Sequence, residues 1–191
     1  MLRTFDFVLS AVGLVLLSPL LLALTIVGLF DTGAPLFRQR RVGRRGASFV
    51  LVKFRTMRKS APHVASHLAD PSEITRFGRL LRRTKLDELP QLWNVLVGDM
   101  SLVGPRPCLF SQSELIQERR QRGVDLARPG ITGLAQVSGV DMSTPALLAE
   151  IDQKMLHQLD VLLYFRLIIR TATGRGYGDS VRHGSGSGEQ E

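Results

Sequence analysis

The sequence predicts a mostly helical α/β protein with one small β-hairpin, attached to a membrane by its first 30 residues. Three observations predict it. Residues 7–30 carry no charged side chain, a dense basic segment follows at once and reads as a hairpin, and much of the remainder places apolar residues at helical spacing. The expected organisation is a membrane helix over 1–30, one domain over 31–173 and a mobile Gly/Ser-containing tail over 174–191. At 191 residues the chain fits a single domain and is too short for a multi-pass transporter with a separate soluble unit.

Charge is concentrated in one place. Lys and Arg number 25 against 17 Asp and Glu, a formal net charge of +8. Between positions 31 and 60, Arg38, Arg40, Arg41, Arg44, Arg45, Lys53, Arg55, Arg58 and Lys59 are opposed only by Asp31, so this segment holds the whole excess. A diffuse polycation is excluded.

At about 1.5 Å per helical residue, 7–30 is long enough to reach across a hydrocarbon core of about 30 Å. A cleaved signal peptide would have an apolar region of about 7–15 residues and a small-x-small site, and Asp31-Thr32-Gly33-Ala34-Pro35 offers a poor one. The absence of a polar face argues against a helix of a soluble protein. Ser18-Pro19 interrupts the run: proline removes a backbone donor, and the Ser18 hydroxyl can satisfy the freed carbonyl. Two geometries stay open, a kinked spanning helix and a helix-break-helix that enters and leaves by one face. The arginines after Phe30 belong on the cytoplasmic side, and Arg3 with the amino terminus favours both ends there.

The basic segment reads as strands over 35–42 and 47–54 joined by Gly43-Arg44-Arg45-Gly46. Its arginines are expected to meet anionic lipid headgroups, at roughly 1 kcal/mol each. Nucleic-acid binding is the competing reading, disfavoured by the adjoining anchor and by few stacking aromatics beyond Phe37, Phe49 and Phe54. Residues 60–74, with Pro62 and Pro71, read as a surface loop or short helix. His63 and His67 have the spacing of a helical metal pair but no Cys or carboxylate to complete it, and read as solvated. Cys108, the single cysteine, excludes an internal disulfide and is assigned no chemistry.

Arg76, Arg79, Arg82, Arg83 and Lys85 interleave with Phe77, Leu80 and Leu81 as an amphipathic helix that leads into Asp87-Glu88. Pro90 belongs in the first turn of the next helix and pushes Leu89 out of the α region, so the two acids sit at a helix start or break. Two adjacent acids flanked by five cations suit phosphoryl transfer. One carboxylate can bind Mg²⁺ or attack phosphorus, the other takes the remaining role, and arginines neutralise phosphate oxygens. In Gly98-Asp99-Met100-Ser101-Leu102-Val103-Gly104-Pro105-Arg106-Pro107, a rigid loop displays Arg106 between two prolines as a phosphate clamp. Arg128-Pro129-Gly130-Ile131-Thr132-Gly133 begins a second loop of the same kind.

With Leu86-Asp87-Glu88-Leu89-Pro90-Gln91-Leu92-Trp93-Asn94, these loops resemble the bacterial sugar transferases, the monotopic phosphoglycosyl transferases of polyprenol-phosphate pathways. Lys53-Phe54-Arg55-Thr56-Met57, Ser18-Pro19 and Arg3-Thr4-Phe5-Asp6 match as well, so the resemblance covers about 3–139. It implies a re-entrant membrane helix broken at Ser18-Pro19, interfacial helices, and an active site on the cytoplasmic face of the bacterial inner membrane. The implied reaction moves a sugar 1-phosphate from a UDP-sugar to polyprenol phosphate with Mg²⁺, releasing UMP. Residue by residue, the resemblance makes Asp87 the nucleophile, Glu88 the Mg²⁺ ligand and Arg106 a phosphate-binding residue. Lys53 and Arg82 fall on basic positions near the site, and Arg128 joins the phosphate-binding set. The expected partners are polyprenol phosphate, a UDP-sugar and an anionic phospholipid membrane, with a homo-oligomer permitted and nucleic acid excluded.

Leu134 stands where the family often has Trp, Val97 where it often has Lys, and Val140-Asp141-Met142 where Arg-Asn is usual. These departures bear on acceptor handling and sugar choice. Larger members carry extra membrane helices before this domain, and the chain is expected to be the minimal catalytic form. Beyond the resemblance, 145–158 has the spacing of a helix with Leu147, Leu148, Ile151, Met155 and Leu159 as its apolar face. Residues 160–173 form an apolar helix with Arg166 and Arg170, either interfacial or core. A membrane-anchored scaffold binding anionic lipid or nucleic acid, and a glycosyl transferase acting on a lipid-linked sugar with release of UDP, are the competing functions.

Overall fold

The computed structural model describes residues 2–61 and 70–173; Pro62, His63, His67 and the tail over 174–191 lie outside them. The helices are α1 (Leu2–Leu16), α2 (Ser18–Thr32), α3 (Arg76–Thr84), α4 (Gln91–Val97), α5 (Ser113–Gln121), α6 (Leu134–Val137), α7 (Pro145–Gln158) and α8 (Val161–Ala172). The strands are β1 (Leu36–Val42), β2 (Ser48–Phe54), β3 (Ser101–Val103) and β4 (Gly130–Thr132).

α1 and α2 meet at a bend of 62°. Pro19 has no N–H to give the Val15 carbonyl, and the Ser18 hydroxyl donates to that carbonyl instead at 2.7 Å. Backbone bonding still crosses the bend, from Leu17 N–H to Gly13 at 2.9 Å and from Leu21 N–H to Leu17 at 2.8 Å. Among the described residues no single helix is long and apolar enough to cross a membrane, whereas this bent pair passes by length and composition.

Both ends of the pair are fastened to one body. In the first turns of α1, buried Asp6 accepts the Ser101 hydroxyl (2.9 Å), the Leu102 N–H (2.8 Å) and the Tyr164 hydroxyl (2.8 Å). Arg3 donates to the Leu96 and Met100 carbonyls. At the other end, Asp31 accepts the Thr75 hydroxyl at 2.7 Å. Gly28 lies so close to Pro35 that a Cβ would stand 2.9 Å from the ring.

β1 and β2 pair antiparallel from Leu36 opposite Phe54 to Val42 opposite Ser48, within a residue of the expected hairpin. Arg45 and Gly46 turn the chain with positive φ (57° and 76°). The hairpin's cations do not form one headgroup-facing surface, because the two-residue period sends them both ways. Arg38 and Arg40 are exposed while Arg41 and Lys53 are buried, and Arg55 gives its Nε–H to the Ala34 carbonyl. The open edge of β2 is covered by Asn94, whose Oδ1 accepts from Val52 N–H (3.1 Å) and whose Nδ2 donates to the Val50 carbonyl (2.8 Å).

The sequence reading expects one sheet, and the structure adds a second: β3 and β4 pair in parallel, Ser101 beside Gly130 and Val103 beside Thr132. At three residues each they are too short to carry a periodic pattern. The pairing brings the two Pro/Gly loops together so tightly that a Cβ on Gly130 would lie 2.1 Å from the Gly104 nitrogen. The main core gathers Phe49, Leu51, Val95, Met100, Val103, Met155, Tyr164 and Leu167.

Two further expectations change. Leu147 is on the exposed side of α7, and buried Asp152 takes a place on the face read as apolar. α8 is core along Tyr164 and Leu167, and exposed along Leu162, Arg166, Ile169 and Arg170, so the two readings of 160–173 describe its two sides.

Candidate active site

Asp87 and Glu88 lie on the 3₁₀ turn Leu86–Glu88 between α3 and α4. α3 stops at Lys85, which adopts left-handed φ 57° and gives its N–H back to Arg82 and Leu81. A non-glycine residue in this region is uncommon, and the reversal is what throws the acids clear of the helix. Leu89 stays in the α region (φ −55°, ψ −38°), contrary to expectation. The backbone passes from the 3₁₀ turn into α4 through three-residue bonds, Leu89 N–H to Leu86 and Leu92 N–H to Leu89, which hold Leu89 helical against the proline's preference. The acids still sit at a helix break, and Asp87 is only 3% exposed.

The turn packs against β2, the strand that carries Lys53. Buried Lys53 extends over the Phe37 ring, 5.9 Å from its centroid. Glu88 accepts from the Arg106 guanidinium, Nη2 to Oε1, at 3.2 Å. Burial depresses the Lys85 ammonium below the usual lysine range; Glu88 opposes that shift and Arg106 adds to it.

Arg106 is held by its backbone. Four successive carbonyls of its loop each accept one hydrogen bond from a different partner: Pro105 from Gly130 N–H (2.8 Å), Arg106 from Arg119 Nη1 (2.8 Å), Pro107 from Arg41 Nη1 (3.3 Å) and Cys108 from Val42 N–H (3.0 Å). Arg119 is itself gripped by Asp152 through Nε (3.0 Å) and Nη2 (2.7 Å) to one carboxylate oxygen. Burial pushes the Asp152 carboxyl above the ordinary range while Arg119 pulls the other way. Burial likewise raises the Cys108 thiol.

The five cations before the acids do not act as a group, because a helix distributes successive residues around its axis. Arg82 turns inward with Gly78 and Leu81 and donates through Nε to Thr56 at 2.9 Å. Its approach depends on Gly78, where a Cβ would stand 2.0 Å from the Thr56 carbonyl oxygen. Arg76, Arg79 and Arg83 are exposed. Arg128 gives its Nε–H to the Gly98 carbonyl at 2.9 Å, past the far end of α4, and its own carbonyl lies against Gly104, two residues before Arg106. The geometry therefore unites Glu88, Arg106 and Lys85 beside Asp87, seats Lys53 on the strand behind them, and leaves Arg128 bracing the α4 terminus.

Arg119, Asp152 and Asn94 went unassigned by sequence reasoning. A usable pattern existed for the first two: Arg119 is four residues past buried Leu115, and Asp152 stands between buried Leu148 and Met155 at helical spacing. Charged residues on apolar helix faces need a partner, and here they are each other's.

Among the described residues no cluster of three or more His, Cys, Asp and Glu side chains forms a metal cage. The adjacent carboxylates of the turn, Asp87 and Glu88, are the donor type by which Mg²⁺ is commonly held, one or two carboxylates with substrate phosphates and waters.

Buried Asp87 and the Glu88–Arg106 ion pair thus lie on a body bound to an apolar, bent helix pair. The profile of the bacterial sugar transferases matches residues 1–175, and the chain belongs to that family. A Caulobacter vibrioides protein named UDP-glucose:undecaprenyl-phosphate glucose-1-phosphate transferase is 46% identical over 143 residues, covering 72% of this chain and 54% of its own. A Xanthomonas campestris protein of the same name is 40% identical over 181 residues, 87% of this chain and 37% of its own. The exopolysaccharide production protein ExoY of Sinorhizobium fredii is 33% identical over 196 residues, 91% and 86% respectively. Of the first two relatives, the chain thus spans 54% and 37% of the length.

Proposed function

We propose that the chain is a membrane-associated phosphoglycosyl transferase that moves a sugar 1-phosphate from a UDP-sugar to polyprenol (undecaprenyl) phosphate. It releases UMP in the first membrane step of surface polysaccharide or glycoconjugate assembly. The observation that carries this reading is the turn that holds buried Asp87 and sets Glu88 against Arg106. The names of the relatives agree with it.

The mechanism is ping-pong. An Asp87 carboxylate oxygen attacks the sugar-bearing phosphorus of the UDP-sugar. The diphosphate P–O bond breaks, and UMP departs with the bridging oxygen and its electron pair. A phosphosugar ester of Asp87 remains. A phosphate oxygen of the polyprenol phosphate then attacks the same phosphorus, the bond to Asp87 breaks, and the carboxylate returns. Both nucleophiles are anions, so neither step needs a proton removed. Arg106, Lys85 and Lys53 counter the charge gathered on the phosphoryl oxygens, in a fixed geometry that water would have to reorganise to match. Bound Mg²⁺ would supply further charge neutralisation, held by Glu88 together with the diphosphate oxygens.

The anchor is read as re-entrant. Its two ends are fastened to one body through Asp6 and Asp31, which a spanning helix could not satisfy without placing that body on both sides of the bilayer. Two arms of roughly 22 Å at this bend reach roughly 11 Å into the lipid. Exposed Trp93 and Val97 on α4 and Leu162 and Ile169 on α8 suit helices lying in the interface. The active site then belongs on the cytoplasmic face, where the positive-inside tendency puts the basic segment.

The test is incubation of the reconstituted protein with polyprenol phosphate, Mg²⁺ and a panel of UDP-sugars. UMP release supports the reading, UDP release replaces it with a glycosyl transferase, and no nucleotide from any sugar leaves a scaffold. Without acceptor, intact-mass spectrometry should find a phosphosugar adduct that Asp87→Asn abolishes together with turnover.

A further inference from the structure

An open cleft of about 460 Å³ lies where α2 ends, lined by Asp31, Thr32, Arg58, Lys59, Thr75 and Arg76. It is separate from the acidic turn, since Thr75 and Arg76 begin α3 and Asp87 follows its other end, roughly 13 Å away along the helix. Three cations face one carboxylate. That carboxylate is already engaged, because Asp31 accepts the Thr75 hydroxyl at 2.7 Å. Among the described residues Arg58, Lys59 and Arg76 enter no ion pair, and all three are exposed. Glu73, the nearby second acid, is occupied by the Ser60 hydroxyl, and its carbonyl fixes the Arg58 N–H at 3.0 Å. Lys59 reaches back over the end of α2, its Nζ 3.4 Å from where a Cβ on Gly33 would be.

What distinguishes this cleft from an ordinary basic patch is its neighbour. Phe30, one residue before Asp31, is 88% exposed, and Ile26, Val27 and Leu29 continue an exposed apolar strip back along α2. A free phosphate would meet the cations and leave the strip uncovered. A molecule with an anionic phosphate head and an apolar tail meets both.

We propose that this cleft is a headgroup site for an anionic phospholipid, which seats its phosphodiester among Arg58, Lys59 and Arg76 and lays its acyl chains along α2. The site rests on the membrane-anchored reading of α1 and α2. It fixes the depth of α2 by an ionic contact at its exit, complementing the attachment of α1 through Asp6.

The test uses the full chain purified in detergent, its thermal midpoint followed while short-chain phosphatidylglycerol, short-chain phosphatidylcholine or inorganic phosphate is added. Phosphatidylglycerol should raise the midpoint saturably, by roughly 5 °C at about a hundredfold excess over Kd. Phosphatidylcholine should leave it unmoved, and phosphate should give a smaller shift. The Arg58→Gln/Lys59→Gln/Arg76→Gln variant should lose the phosphatidylglycerol shift, and Arg58→Lys/Arg76→Lys should keep most of it. An equal shift in the triple variant overturns the site. An equal shift with phosphatidylcholine overturns headgroup selection, and an equal shift with phosphate overturns the lipid source. Flotation with neutral vesicles separates the underlying reading: wild type and variant should both float, and failure of both would remove the anchor and this site with it.

Discussion

The grip on Arg106 yields the sharpest test. Arg119 and Asp152 are 8% and 0% exposed at the side chain and 2.7 Å apart, and Arg119 donates a hydrogen bond to the Arg106 carbonyl. Arg119→Met leaves Asp152 buried without its partner, at a cost of about 3–5 kcal/mol. For a protein of this size that lowers the thermal midpoint by roughly 10–15 °C. Arg119→Met/Asp152→Leu removes both charges, and such replacements are often close to neutral for stability. The double variant should therefore recover most of the lost midpoint. It does not recover the bond to Arg106, so the loop can shift by a fraction of an ångström to about 1 Å, and kcat/KM for the UDP-sugar should stay down by about a hundredfold. UMP release and a thermal melt on the same preparations read both quantities. A double variant with a restored midpoint and near wild-type kcat/KM would refute the claim that this pair positions Arg106.

Other expectations follow from packing and burial. Gly78→Ala drives a Cβ into the Thr56 carbonyl, a backbone atom with no rotamer to escape into, and should cost about 3 kcal/mol in denaturant unfolding. Asp6→Ala strands the Ser101 hydroxyl, the Leu102 N–H and the Tyr164 hydroxyl, at about 1–3 kcal/mol for each donor left unmet in the interior; Asp6→Asn, which keeps acceptor capacity in one oxygen, should lose less in the same melt. Buried Cys108, its thiol raised by burial, should resist maleimide in the native protein and react after denaturation. Cysteines introduced at exposed Thr4 and Ser60 can then be labelled without interference. In sealed vesicles both should react from the same side, and labelling from opposite sides would remove the re-entrant reading.

Much of this architecture was legible before any coordinates. The hairpin announced itself by two extended runs around a glycine-flanked turn, α3 and α7 by their spacing, and the bend by Ser18-Pro19. What escaped was long-range. A three-residue strand such as β3 has no period to read, and its partner β4 is 27 residues or more further along the chain. The five cations before Asp87 read as one cluster because they are neighbours in sequence, and α3 separates them by rotating each about its axis. The hairpin arginines read as a lipid-facing set, yet Arg41 serves the Pro107 carbonyl instead. Asp87, Glu88 and Arg106 stood out in the sequence because their local chemistry is distinctive, and the fold sets Arg106 3.2 Å from Glu88. Arg119 and Asp152 each showed only as a charge at helical spacing from apolar residues, and that their partners are each other appears only in the fold.

Asp6 has a consequence beyond stability. The Leu102 amide of β3 and the Tyr164 hydroxyl of α8 meet on the same Asp6 oxygen, so two elements far apart in the chain are closed onto α1 by one carboxylate. The helix is in this sense a clasp for the fold as well as an apolar arm.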